Sequence, residues 1–134
     1  VCSSDLTNNS TNGLGAALYV CDLDLSDSTF AGNRSGGSGG AVSACFISQL
    51  LRTTFSRNVA AADGGAVMLD TYAPGTFKGN IFRGNRARGF GGALAACDGL
   101  SSRSFGALKA RNRFSGNVGR RGEIAPVPCN NGPT

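Results

Sequence analysis

The chain has no histidine and no tryptophan, and only one methionine, two tyrosines and four prolines among 134 residues. Without histidine it lacks the side chain best suited to moving protons near neutral pH. Acid–base work would fall to eight carboxylates. No run of about 18 apolar residues occurs, so no membrane-spanning helix is expected. Aromatic residues make up 7 % of the chain, while glycine reaches 21 residues. So many small side chains suit a narrow stacked core better than a two-layer globular one. Residues 1–134 are expected to form one domain and to be a fragment of a longer one. Val1–Leu6, with Cys2, reads as a non-native leader.

What is present is a repeat. Asn9, Asn33, Asn58, Asn85 and Asn117 each have an alanine eight residues on, and four of the five have a cysteine twelve residues on. Leu6, Phe30, Phe55, Phe82 and Phe114 stand three residues before these asparagines. Gly39–Gly40, Gly64–Gly65 and Gly91–Gly92 precede the alanine in three copies. Successive asparagines are 24, 25, 27 and 32 residues apart. A fixed block whose growth is confined to one place is the mark of a solenoid.

After the alanine, Leu18/Val20, Val42/Ala44, Val67/Leu69 and Leu94/Ala96 alternate with the variable Tyr19, Ser43, Met68 and Ala95. This period of two predicts a strand with one buried face. A second strand is expected to end at the phenylalanine, as in Leu51–Thr53–Phe55 and Leu108–Ala110–Asn112–Phe114. No stretch shows a helical period, and essentially no α-helix is expected. The fold that follows is all-β: a right-handed parallel β-helix of about five rungs, with identical positions stacked roughly 4.8 Å apart. Phe30, Phe55, Phe82 and Phe114 should form an internal ring stack. Asn33, Asn58, Asn85 and Asn117 should occupy a sharp turn, tolerating left-handed geometry and bonding to the next rung. The glycine pairs should allow positive φ and close backbone approach. A second F-x-x-N, Phe77–Asn80, falls outside this spacing and reads as lying over a short insertion. The long loop around Gly99–Ala107 is the expected protrusion.

Geometry also groups the cysteines. Cys21 and Cys45 hold one position on adjacent rungs, as do Cys97 and Cys129, within disulfide reach. Cys45 and Cys97 are separated by the rung of Asp70. Two pairs are expected, Cys21–Cys45 and Cys97–Cys129; the alternative is a stack of reduced thiols acting as small hydrophobes.

F-x-x-N followed by G-G-A-[ILV] resembles the repeat pair of the chlamydial polymorphic outer membrane proteins. The resemblance rests on Phe30–Asn33 with Gly39–Val42, Phe55–Asn58 with Gly64–Val67, and Phe82–Asn85 with Gly91–Leu94, and extends over about residues 6–129. It implies a passenger segment of a secreted or autotransported adhesin, extracellular or at the cell surface, and outer membrane-associated if bacterial.

Parallel β-helices also host polysaccharide-degrading enzymes, so the carboxylates must be weighed. Asp22 and Asp98 are three rungs apart, too far to cooperate. Asp22, Asp24 and Asp27 lack the spacing of a calcium loop, and the cysteines lack the paired spacing of a zinc site. Ser35–Gly40 has no phosphate-loop lysine. No catalytic, cofactor-binding or metal residue is expected, and the chain reads as a scaffold or adhesin. The alternative is a carbohydrate-binding or polysaccharide-degrading protein whose catalytic region lies elsewhere.

The net charge of +5 divides unevenly: residues 1–75 carry three basic and six acidic side chains, residues 76–134 ten and two. Arg83, Arg86, Arg88, Arg120 and Arg121 cluster beside the repeat asparagines as a candidate face for anionic glycans or a host or neighbouring cell surface. The bland alternative is solvated loop charge. Nucleic acid is not expected as a partner. Asn8, Asn9 and Asn33 lie in N-x-[ST] sequons, relevant only to a eukaryotic secretory pathway.

Overall fold

The structure, a computed structural model, describes residues 5–72 and 76–129. Its first rung contains β1 (Asp5–Thr7), β2 (Ser10–Thr11) and β3 (Leu18–Ser26). The second contains β4 (Thr29–Ala31), β5 (Arg34–Ser35) and β6 (Val42–Leu51). The third contains β7 (Thr54–Ser56), β8 (Val59–Ala60), β9 (Val67–Thr71) and β10 (Thr76–Lys78). The fourth contains β11 (Ile81–Arg83), β12 (Arg86–Phe90), β13 (Leu94–Asp98) and the helix α1 (Ser102–Arg111). A partial fifth contains β14 (Arg113–Ser115), β15 (Val118–Arg120) and β16 (Ile124–Pro126). Like strands stack in parallel into two five-stranded sheets and one six-stranded sheet. The result is a right-handed parallel β-helix of about four complete turns.

Register follows the repeat. Leu6, Phe30, Phe55, Phe82 and Phe114 lie opposite one another along β1, β4, β7, β11 and β14. Phe30, Phe55 and Phe82 are wholly buried. Ring centroids of the four phenylalanines step by 5.0, 4.9 and 4.8 Å with interplanar angles of 12°, 7° and 2°. A strand spacing near 4.8 Å places the rings in stacking range without further adjustment.

Each asparagine satisfies the corner that follows its ring. The backbone N–H and side-chain amide of Asn33 both donate to Asn58 Oδ1, at 3.0 and 2.9 Å. Asn58 repeats this toward Asn85, and Asn85 toward Asn117. The same amides also reach back, Asn58 to the Phe30 carbonyl and Asn85 to the Phe55 carbonyl, each at 3.0 Å. Among the described residues no buried side-chain nitrogen or oxygen is left without a partner. Left-handed backbone belongs to the residue before the asparagine: Asn8, Gly32, Arg57, Gly84 and Gly116 all have φ between 53° and 66°. The asparagine itself is retained for its amide.

Four local expectations are corrected. Phe77–Asn80 forms a second ladder: Phe77 pairs with Leu50, which pairs with Leu25. Thr53 N–H donates to Asn80 Oδ1, and Asn80 N–H donates to Asn112 Oδ1, at 2.9 and 3.0 Å. The stretch 51–55 is broken at Arg52, whose φ of 45° turns a corner between β6 and β7. Residues 102–111 are helical, so Leu108–Arg111 is not strand. Ser101 caps α1 by accepting from Ser104 N–H, and Leu108 alone is buried. Phe105 packs half-buried against the core beside it, and two anchoring side chains in ten residues leave too little periodic trace, so tertiary contact decides the conformation. Finally, Ala125 lies opposite Ala95, two residues out of the Asn–Ala spacing, because Ile124 pairs with Leu94.

The variable positions Ser43, Met68 and Ala95 are also buried rather than solvent-facing. Met68 and Ala95 cluster with Val127, against which Phe90, Cys97 and Cys129 pack. The C-terminal segment thus covers part of the outer face. The glycine pairs behave as expected: Gly39, Gly64 and Gly91 have φ of 72°, 67° and 69°. A side chain at Gly40 or Gly65 would strike the carbonyl of the glycine one rung on. Of the suspected leader, residues 1–4 lie outside the described residues, while Asp5 and Leu6 take part in β1.

Candidate functional site

The asparagine corner determines what the neighbouring sheet displays. β2, β5, β8, β12 and β15 each begin directly after it, so one position recurs at the surface: Ser10, Arg34, Val59, Arg86 and Val118 in register. The next residue turns inward, and Ser35, Ala60 and Ala87 are buried. Arg34, Arg86 and Arg88 are exposed. They line one open depression of about 390 Å³ with Ser10, Thr11 and Asn12. Ser35, Gly36, Val59 and Ala61 complete its lining, which includes no carboxylate.

The five predicted basic residues divide. Arg86 and Arg88 face this groove. Arg83 ends β11, on the other side of the Asn85 corner and in a different sheet. Arg120 ends β15 and lies opposite Phe90. Arg121 stacks over the Phe90 ring, its guanidinium carbon 5.0 Å from the centroid, a cation–π contact. Arg34 joins the groove although it belongs to the acidic half of the chain. Its signal is the F-x-x-N-R pattern shared with Asn85–Arg86, visible once the asparagines are aligned.

Pairing separates these arginines further. Arg52 grips Asp27 through two bonds of 2.7 and 2.9 Å at the second corner. That hydrogen bond from Arg52 holds the Asp27 carboxyl below its ordinary range and raises the guanidinium in return. Among the described residues this is the one ion pair. Arg34, Arg86 and Arg88 have no such partner there, and their charge is left to solvent or ligand.

Cys21 is bonded to Cys45 and Cys97 to Cys129, with Cα separations of 4.4 and 5.3 Å. Each bridge joins neighbouring rungs, as the ladder geometry requires. Among the described residues no three cysteine or carboxylate side chains converge on a metal-sized point. Ser48 Oγ donates to Asp22 at 2.9 Å, and Asp63 accepts from Phe90 N–H at 2.7 Å, so these two acids serve local structure. Asn33 is buried with its amide bonded on both sides, which removes it as a modification site. No described helix is long and apolar enough to cross a membrane.

Residues 27–45 and 52–69 match the family model of the Chlamydia polymorphic membrane protein repeat. The two matches begin at equivalent corner residues, Asp27 and Arg52, both left-handed. Each then runs through the ring, the asparagine and the glycine pair into the six-stranded sheet. Two segments of this β-helix are thus similar to that repeat, and Phe82–Leu94 shows the same motif outside the matched segments. No curated protein and no solved structure matches the chain.

Proposed function

We propose that this β-helix is a non-catalytic segment of a surface-exposed, adhesin-like protein that presents its outer faces to another cell or matrix. The observation that carries this reading is the polymorphic membrane protein repeat, built into a solenoid whose interior is filled by structural ladders. Phe, Asn and Gly positions repeat and are buried, whereas charged side chains occupy the outward positions. A rod of this kind holds variable surface residues at fixed spacing, which suits attachment. Two inter-rung disulfides favour an oxidising, extracytoplasmic location, at the outer membrane surface if the parent is bacterial. The proposal assigns none of the carboxylates to catalysis.

The test couples adhesion to turnover. Beads coated with the folded chain should retain epithelial or neighbouring bacterial cells, and reduced, unfolded chain should not. Incubation with acidic polysaccharides should release no new reducing ends. Unchanged cell retention after unfolding, or steady release of reducing ends, would overturn the reading.

A further inference from the structure

We propose that the groove over β2, β5, β8 and β12 binds a linear sulfated polysaccharide along the helix axis, with Arg34, Arg86 and Arg88 holding its anionic groups. The proposal rests on the adhesin-like reading and specifies its ligand. Arg34 and Arg86 share one register line with Val59 between them. They are thus two rungs apart, roughly 9.6 Å at the spacing of stacked strands. Arg86 and Arg88 project from one strand, about 6.6 Å apart along it. Three cations spread along and across the rungs match a chain of repeating charges better than one compact anion.

The surroundings support the same chemistry. Arg52 is neutralised by Asp27 and Arg121 is occupied by Phe90, but the groove arginines have no acidic neighbour in its lining. Guanidinium groups bind oxyanions through paired donors, and Ser10, Thr11 and Asn12 add hydroxyl and amide partners for sugar hydroxyls. The groove presents no aromatic face on which bases would stack, which disfavours single-stranded nucleic acid. Its apolar lining is limited to Val59, Ala61 and Gly36, too little for insertion into a bilayer.

The test uses the intact, oxidised chain and a heparin-derived octasaccharide, with affinity measured by calorimetry at several salt concentrations. The unmodified chain should bind, and more weakly as salt rises. R34S/R86S/R88S should bind about tenfold more weakly, since each exposed ion pair contributes modestly and three are lost. R103S/K109S/R111S removes the same charge from α1 and should stay within about twofold of the parent. Arg86→Glu alone gives a second reading at an exposed position and should also weaken binding while circular dichroism stays unchanged. Equal losses in the two triple variants would overturn the proposal, as would equal affinity for fully desulfated octasaccharide. Equally tight binding of a single-stranded oligonucleotide or of anionic vesicles would overturn it too. Cell retention keeps the two readings apart. A chain that binds octasaccharide but no cells contradicts only the adhesin reading, whereas undiminished cell retention by R34S/R86S/R88S contradicts the groove.

Discussion

Glu123 stands where the next asparagine of the ladder would stand: its Oε2 accepts the Asn117 side-chain amide at 2.6 Å and the Asn117 backbone N–H at 3.2 Å. On every earlier rung those two donors meet an asparagine oxygen of the following turn. Here a carboxylate six residues along the same rung replaces it, and the fifth rung shortens by two residues to deliver it. Glu123→Ala should destabilise the fold by about 1–2 kcal/mol, because two donors lose a partly buried, charge-assisted acceptor. Glu123→Gln keeps an acceptor oxygen and should cost less. Chemical denaturation of the three proteins checks the order, and equal midpoints would show the contact to be idle.

Asn58 stands at the middle of the ladder and is engaged on both sides. Its oxygen accepts two bonds from Asn33, and its amide donates to Phe30 O and Asn85 Oδ1. Asn58→Ala should cost about 3–5 kcal/mol, since it strands several buried polar groups on the two neighbouring rungs. Asn58→Asp preserves the acceptor but faces a carboxylate toward the Asn85 oxygen, and should also destabilise. Thermal melts followed by circular dichroism read both, and a shift no larger than that of a surface variant such as Arg57→Ser would contradict the ladder's structural weight.

How much of the fold is legible in the sequence depends on whether chemistry or mere spacing marks a position. Phe30, Phe55 and Phe82 repeat in kind, so the residue types alone reveal the ring stack. The second corner is hidden because Ser28, Thr53, Asn80 and Asn112 bring three residue types to one position. Thr53 offers its hydroxyl and Asn80 its amide oxygen to the rung before. α1 is hidden for another reason: only Phe105 and Leu108 pack on the core, too few to mark a helical period, while Leu108–Ala110–Asn112–Phe114 alternates like a strand. In the last rung, constant spacing misleads, because Ala125 sits at the expected interval but pairs with Ala95. For the candidate site, Arg86 and Arg88 are legible as charge. Arg34 needs the stacking register to bring it beside them.

The Asp27–Arg52 pair gives a pH prediction of definite sign. Its hydrogen bond lowers the folded carboxyl below the ordinary 3.8, so its stabilisation is present above that value. It is lost as pH falls through the depressed folded value. Both side chains are about half exposed or more, so the effect is small. Asp27→Asn should melt slightly below the parent from neutral to mildly acidic pH, and the two curves should converge in strong acid. A difference that grows as pH falls would contradict this assignment.

The disulfides can be separated by the rung between them. Cys45 and Cys97 flank Asp70, two strand spacings or roughly 9.6 Å apart, beyond the roughly 4.4–6.8 Å that a bridge accepts. Non-reduced peptide mapping should therefore find Cys21–Cys45 and Cys97–Cys129 and no Cys45–Cys97 link. The bridges close segments of 24 and 32 residues. On the chain-entropy account each should contribute about 3 kcal/mol, the longer slightly more. C21S/C45S and C97S/C129S should each lower the denaturation midpoint, and the double-pair variant should lose about the sum, because the sites lie two rungs apart. Cys97–Cys129 carries a further role, since Val127 covers Met68 and Ala95 beside it. Its removal should expose Met68 to mild oxidation, whereas C21S/C45S should leave Met68 protected. Mass spectrometry after peroxide treatment distinguishes the two, and equal oxidation in both variants would contradict the covering role of the C-terminal segment.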